Sequence, residues 1–192
     1  NGLLEPIDYK IVSKAGLLDG AANEFFLLTD VAAYHIAWNT KNLKGPAPKT
    51  WADVWAYNGR IGLWKRPFQT LEVAVLADGV PLDKLYPLDV ERGLKSLEKI
   101  KSKLAWWERG AQGGQVFIDG EVDVGAIWNG RVHEPKLNGA AVDFHFNQAV
   151  FVNDAWGIPK GGKNVAWAQE LCALCMSAPV QAAYSKVIPY GP

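Results

Sequence analysis

The sequence predicts an α/β fold, and three observations carry that prediction. Short runs rich in branched and aromatic residues alternate with helical stretches, as in VAAYHIAWN at Val31–Asn39 and GRIGLW at Gly59–Trp64. The stretch Asp89–Leu104 has the periodicity of an amphipathic surface helix. Hydrophobic residues make up 49% of the 192 positions without any low-complexity tract, which describes a soluble globular chain. Strands alternating with helices imply a parallel or mixed sheet covered on both faces, and such sheets bind ligands at the carboxyl ends of their strands. The positions to watch on that ground are 64–72, 128–131 and 151–154.

In chain order, residues 1–28 are punctuated by Gly2, Gly16 and Gly20, and Phe25–Leu28 is a short apolar run. Val31–Asn39 reads as a strand, and KNLKGPAPK at Lys41–Lys49 as a linker. Thr50 opens a short helix, TWADVW, as N-cap, with Asp53 as the returning partner of a capping-box-like arrangement. Gly59–Trp64 is a strand, broken by KRP before a helix over Thr70–Asp78 that Gly79 stops. On Asp89–Leu104 the stripe Val90, Leu94, Leu97, Ile100 and Leu104 predicts the buried face, and the charged residues a solvated one. Gln112–Ile118 reads as a helix closed by Gly120, and Val122–Trp128 as a strand with Val122, Val124, Ala126 and Trp128 on one face.

Charge and composition remove several function classes. Twenty basic and twenty acidic residues cancel, so no global field draws nucleic acid or an anionic membrane. The longest apolar run, Val73–Ala77, is far below the roughly 18 residues that cross a bilayer. No signal peptide is visible in a sequence that opens on Asn1. Cys172 and Cys175 form C-x-x-C inside a stretch with Ala166, Leu171, Leu174 and Cys175 at helical spacing, whereas a redox pair sits at a helix start. Zinc would need two further ligands, and His35, His133 and His145 are scattered. Buried small hydrophobes are the reading for both thiols. Of nine Trp, most belong to the core by the same reasoning. No G-x-S-x-G, Walker A or H-E-x-x-H motif is present, and GAQGGQ at Gly110–Gln115 lacks the preceding strand of a dinucleotide site. The chain therefore reads as a binding module and not an enzyme, with no cofactor and no metal implied.

Six segments carry a family resemblance: WADVW at Trp51–Trp55, LADGV at Leu76–Val80, LYPLDVERGLKSLEKIK at Leu85–Lys101, GEVDVGAIWNGR at Gly120–Arg131, GIPKGGKN at Gly157–Asn164 and QAAYSKVIPYGP at Gln181–Pro192. In this order and spacing the chain resembles the polyamine (spermidine/putrescine)-type branch of the periplasmic solute-binding proteins of ABC importers. The resemblance implies a type II periplasmic-binding-protein-like fold of two lobes with hinge crossings. Residues 1–38 would be the end of lobe one and the first hinge strand, 39–147 lobe two, and 148–192 the return crossing with a lobe-one strand and helix. The family's opening lobe-one elements have no counterpart here, so lobe one is incomplete and its exposed sheet edges would invite self-association. Implied partners are a small polar amine-bearing solute, polyamine-like or amino-acid-like, and the membrane permease and ATPase, in the periplasm.

The resemblance also implies ligand-binding residues. Trp128 and Asn129 stand at the family's aromatic-Asn position, and Asp154 at its carboxylate. A Trp face attracts an ammonium and a carboxylate pairs with it, while core packing for Trp128 and a turn role for Asp154 are the plain structural alternatives. Where polyamine binders carry acids, this chain has Lys65 and Arg66. Arg66 beside the helix start at Thr70 suits an anion. Glu72 either answers a cationic group or complements the helix dipole. A solute of both signs fits that mixture. Two alternatives stand beside this reading: the effector-sensing domain of a transcription regulator, and a thiol-dependent enzyme using Cys172 or Cys175 with His35, His133 or His145 as base.

Overall fold

The protein is described by a computed structural model over residues 2–191. In chain order its elements are β1 (Leu4–Glu5), β2 (Leu27–Asn39), α1 (Trp51–Ala56), β3 (Ile61–Trp64), α2 (Thr70–Ala77), α3 (Val90–Ile100), β4 (Leu104–Trp107), α4 (Gly110–Ile118), β5 (Val124–Trp128), α5 (His133–Leu137), β6 (Val142–Trp156), β7 (Ile158–Pro159), α6 (Val165–Cys175) and α7 (Ala178–Val187). The chain forms two compact units. One runs from Ala33 to Phe151, and the other joins the residues before it to those from Val152 onward. The chain passes between them twice, within β2 and within β6.

The larger unit is built on a sheet of order β4-β3-β5-β2-β6. β3 pairs in parallel with both β4 and β5, whereas β5 pairs antiparallel with β2. The expectation of a mixed sheet clad in helices holds. The central strand β5 is buried from Val124 through Ile127 on both faces, as a strand covered on two sides must be. Gly125 opposes Gly62 across β3 and β5, so these two backbones approach more closely than any side chain would allow.

The capping box at α1 is complete. Thr50 Oγ1 accepts from the Asp53 N–H at 3.2 Å, and Asp53 Oδ2 accepts from the Thr50 N–H at 2.9 Å. That pins a helix whose Trp51, Val54 and Trp55 are buried. Thr50→Ala is expected to lower unfolding stability by about 1 kcal/mol, read as a shift of the urea midpoint at unchanged slope. An unchanged midpoint would show that the cap contributes nothing.

Three expectations about the elements of the larger unit fail, each for a packing or pairing reason. The helix foreseen to Leu104 stops at Ile100, and Leu104–Trp107 is instead the edge strand β4, paired residue for residue with β3. GAQGGQ therefore does follow a strand. Its glycines still serve packing, because a Cβ on Gly113 would lie 2.7 Å from both Ile127 and Trp107, and one on Gly114 2.9 Å from the Arg131 carbonyl. The buried stripe of α3 is also displaced. Gly93, Ser96 and Ile100 face inward, while Val90 and Leu94 are about half exposed, because Gly93 lets the helix settle against Leu71 and Val75 of α2.

In the smaller unit β1 and β7 pair antiparallel. The C-x-x-C lies within α6, as expected. However, α6 buries Gln169 and Cys172 while Leu171 and Leu174 are exposed. Cys172 joins a core with Ile7, Val12, Leu27 and Ile158, and burial pushes its thiol up, away from a reactive thiolate. Cys175 is half-buried. Of the nine Trp only Trp38, Trp51, Trp55 and Trp107 are buried, so the ring-rich composition is not explained by the core alone.

Candidate functional site

Parallel strands β4, β3 and β5 end together, each on a tryptophan: Trp107, Trp64 and Trp128. The register places Trp64 beside Trp107, and Tyr34 of β2 stands opposite Trp128. The rings form one cluster. Trp64 stacks on Trp107 at 5.9 Å between centroids with an interplanar angle of 16°. Trp128 meets Trp64 edge-on at 4.7 Å and Trp107 at 5.1 Å, and Phe68 meets Trp64 edge-on at 4.9 Å. Such edge-to-face contacts hold rings in fixed orientation. Trp107 is fully buried beneath, and Trp64 and Trp128 are half-buried.

The indole N–H groups of the two half-buried tryptophans are used internally, while that of the buried Trp107 has no partner. Trp128 Nε1–H donates to Gln69 Oε1 at 2.8 Å, and Trp64 Nε1–H to the Glu108 carbonyl at 3.2 Å. The Tyr34 hydroxyl accepts from the Trp64 N–H at 3.1 Å and lies 3.5 Å from Thr70 Oγ1, which itself donates to the Trp64 carbonyl at 2.8 Å. Burial raises the Tyr34 phenol well above its ordinary range, so it stays protonated. The half-buried tryptophans thus offer ring faces and not N–H donors, a surface for a cation or a methylene chain.

The loop after β3 is basic. Lys65 Nζ pairs with Glu108 at 2.9 Å in the open, and that ion pair, with Arg66 and Arg109 nearby, holds the Glu108 carboxyl below its usual range. Arg66 is exposed, and its backbone N–H donates to the Trp64 carbonyl at 2.8 Å. Glu72, in the first turn of α2, is half-buried. One of its oxygens lies 3.4 Å from the Tyr86 hydroxyl, and Oε2 is buried with no hydrogen-bond partner. Asn129 is buried, and its Oδ1 accepts from the Ala33 N–H at 2.9 Å, a bond that ties β5 to the start of β2 in this unit.

Asp154 lies in the smaller unit, exposed on β6. It lines a pocket of about 330 Å³ with Asp30, Tyr184, Trp156 and Gln181. Asp30 is buried, accepts from the Tyr184 hydroxyl at 3.1 Å and keeps Oδ1 unpartnered. Burial raises its carboxyl, and the Asp154 charge adds to the effect, while burial and Asp30 push Tyr184 up to about 12. The structure therefore brings Trp128, Lys65, Arg66, Glu72 and Asn129 into the larger unit and places Asp154 in a separate acidic group. Sequence reasoning passed over Gln69, Trp64, Trp107 and Asp30, although Trp64 and Gln69 fall within the strand-end window 64–72. Among the described residues no three His, Cys, Asp or Glu side chains are grouped so as to hold a metal ion.

Comparison with known proteins identifies the architecture. The family model described as bacterial extracellular solute-binding protein matches residues 1–192. A gamma-aminobutyric acid-binding protein of Pseudomonas aeruginosa is 33% identical over 200 residues, covering 100% of this chain and 56% of that protein. A spermidine/putrescine-binding periplasmic protein of Haemophilus influenzae is 28% identical over 153 residues, covering 78% of this chain and 42% of its own length. Among solved structures, the Atu4243 GABA receptor superposes with a TM-score of 0.91 at 34% identity, covering 100% of this chain and 61% of that one. The chain thus spans a little over half the length of the relatives it matches throughout. The fold is that of the periplasmic solute-binding proteins, as the α/β reading and the motif resemblance foresaw.

Proposed function

This chain belongs to the bacterial extracellular solute-binding protein family, and we propose that it is the solute-capturing part of a binding protein serving an ABC importer. The solute we assign is a small amine-bearing acid, amino-acid-like rather than a bare polyamine. The observation that carries this assignment is the pairing of tryptophan ring faces at the ends of β3 and β5 with a basic loop, Lys65–Arg66, at the same strand ends. Ring faces accept an ammonium or a methylene chain, and Arg66 offers a planar donor fork to a carboxylate.

In this reading Trp128 and Trp64 form the wall, and Arg66 the anion-binding group. Lys65 shapes the local field while paired with Glu108. Glu72, whose Oε2 lacks a partner, offers negative charge to the solute's amine. Asn129, next to Trp128, anchors the end of β5 to Ala33 of β2. The two units correspond to the two lobes of the family, and the importer's permease and ATPase are the partners, on the extracytoplasmic side of the membrane. Of the related proteins, one is named as a gamma-aminobutyric acid-binding protein, one as a GABA receptor and one as a spermidine/putrescine-binding periplasmic protein. The family gives the effector-sensing and thiol-enzyme alternatives no support.

Calorimetry on the protein with GABA, other ω-amino acids, putrescine and spermidine tests the proposal. An ω-amino acid is expected to bind, and Trp128→Ala to weaken it about 10- to 100-fold, the size typical of an aromatic contact at the centre of a binding surface. Tight binding of spermidine with no response to zwitterions would overturn the assignment of solute. An unchanged affinity in Trp128→Ala would remove the wall.

A further inference from the structure

We infer that Gln69 is a strained positioning residue whose task is to fix the Trp128 ring, an inference that rests on Trp128 being the solute wall. Three observations converge on it. Gln69 has φ 64° and ψ −42°, a conformation close to that of a strained γ-turn and one that residues other than glycine rarely adopt. It is buried, at 5% exposure, rather than sitting on a free loop where such a backbone could relax. Its side chain stands at the N-cap of α2 but makes no capping bond, and its Oε1 instead accepts from Trp128 Nε1–H at 2.8 Å.

Each of these has a cost that an ordinary helix start avoids. Asn, Asp, Ser or Thr at this position would cap α2 with an unstrained backbone. The surrounding bonds hold the geometry in place: the Leu71 N–H donates to the Pro67 carbonyl at 2.9 Å, and the Val73 N–H to the Gln69 carbonyl at 3.0 Å. Thr70, the next residue, spends its hydroxyl on Trp64. Backbone strain of this kind persists only where the surroundings over-determine it, and it gathers at ligand clamps. Here it aims one amide oxygen at one indole N–H. The consequence is twofold: the Trp128 ring cannot turn about its side-chain bonds, and its N–H is withdrawn, so that a solute meets the π face alone.

The test separates this role from that of a mere packing residue. Tryptophan would be replaced by 5-fluorotryptophan, and the Trp128 resonance, assigned from Trp128→Phe, followed without ligand in Gln69→Ala, Gln69→Glu and Gln69→Gly. Gln69→Ala is expected to shift or broaden the resonance and weaken solute binding about tenfold. Gln69→Glu keeps an acceptor at the same reach and is expected to restore both. Gln69→Gly relieves the backbone and is expected to melt higher than Gln69→Ala while binding as poorly. An unchanged Trp128 resonance in both Gln69→Ala and Gln69→Gly, or a Gln69→Gly protein no more stable than Gln69→Ala, would overturn the inference. A shifted resonance with unchanged affinity would leave Gln69 as the positioner of Trp128 and would instead remove Trp128 from the solute site.

Discussion

Gly125→Ala is expected to destabilise the larger unit by more than about 4 kcal/mol, because the added Cβ meets the backbone of the neighbouring strand in the sheet centre. Gly125 has φ 152°, and a Cβ built on it would lie 2.1 Å from the Gly62 carbonyl oxygen and 2.7 Å from its nitrogen. No rotamer relieves such a clash, since the opposing atoms belong to a neighbouring strand. Nor can β3 retreat easily, as it is hydrogen-bonded to β4 on its other side, and Gly62 itself packs against Val122. The same close approach brings the ends of β3 and β5 together, where Trp64 and Trp128 meet at 4.7 Å. Gly139→Ala is the control. Its φ of 84° carries the left-handed penalty of about 1 kcal/mol, but nothing lies within 4 Å of the added methyl. Urea unfolding of the two variants should differ by several kcal/mol, and equal midpoints would show that the strands are not in contact as described.

Stability is expected to fall by about 3 kcal/mol between pH 6.5 and pH 4, with His35 as the main cause. His35 is fully buried, with Nδ1 3.1 Å from the Ile36 carbonyl oxygen and Nε2 unpartnered. Its ring stacks on Phe144 at 4.7 Å and meets Phe146 edge-on at 5.3 Å. Burial in this aromatic setting, helped slightly by His145, lowers its pKa from the ordinary 6.5 to about 4. The unfolded chain therefore binds a proton that the folded chain refuses anywhere between those values. The stabilising contribution is complete above pH 6.5, declines as pH falls through the window and is gone below about pH 4. At about 1.4 kcal/mol per tenfold change, the gap gives the stated size. Asp30 acts in the opposite sense at the acidic end, because burial raises its carboxyl and protonation favours its folded form. Comparison of urea midpoints at pH 7, 5.5 and 4.5 with those of His35→Leu isolates the histidine. A variant with the same slope against pH would exclude it as the cause.

These two residues show what a linear reading misses. Gly125 and His35 both lie in segments that the sequence identified as strands. In GAIW and YHIA, however, nothing indicates that one residue touches a glycine of another strand or that the other stacks on Phe144. Burial in β5 was legible through alternation and branched residues, whereas the partner of each position was not. The α3 stripe failed in the same way. Val90, Leu94 and Ile100 satisfy helical periodicity, but Gly93 decided which face α2 could approach, and a pattern scored on hydrophobic residues alone cannot register a glycine's closeness.

The candidate site divides along the same line. Strand-end position and side-chain type pointed to Trp128 and to the window holding Trp64 and Gln69, because carboxyl ends of parallel strands display residues to ligand whatever the sequence between them. That Trp107, Trp64 and Trp128 end three adjacent strands could not be known until Leu104–Trp107 proved to be a strand, and its identity as one depends on pairing with β3, which lies about forty residues earlier in the chain.

By itself, then, the sequence determined the local chemistry of this protein: the α/β alternation, the capped start of α1, the helical setting of the two cysteines, the basic loop after β3 and the family motifs. These depend on neighbours within a few residues, where propensity, capping and periodicity act directly. Only the tertiary structure decided which rings cluster at the strand ends, that Gln69 accepts the Trp128 indole N–H, that Asn129 bonds Ala33, and that Asp154 stands with Asp30 rather than alone. Those outcomes depend on contacts between residues distant in the chain, set by strand pairing and packing of the whole unit, and no local stretch of sequence contains them.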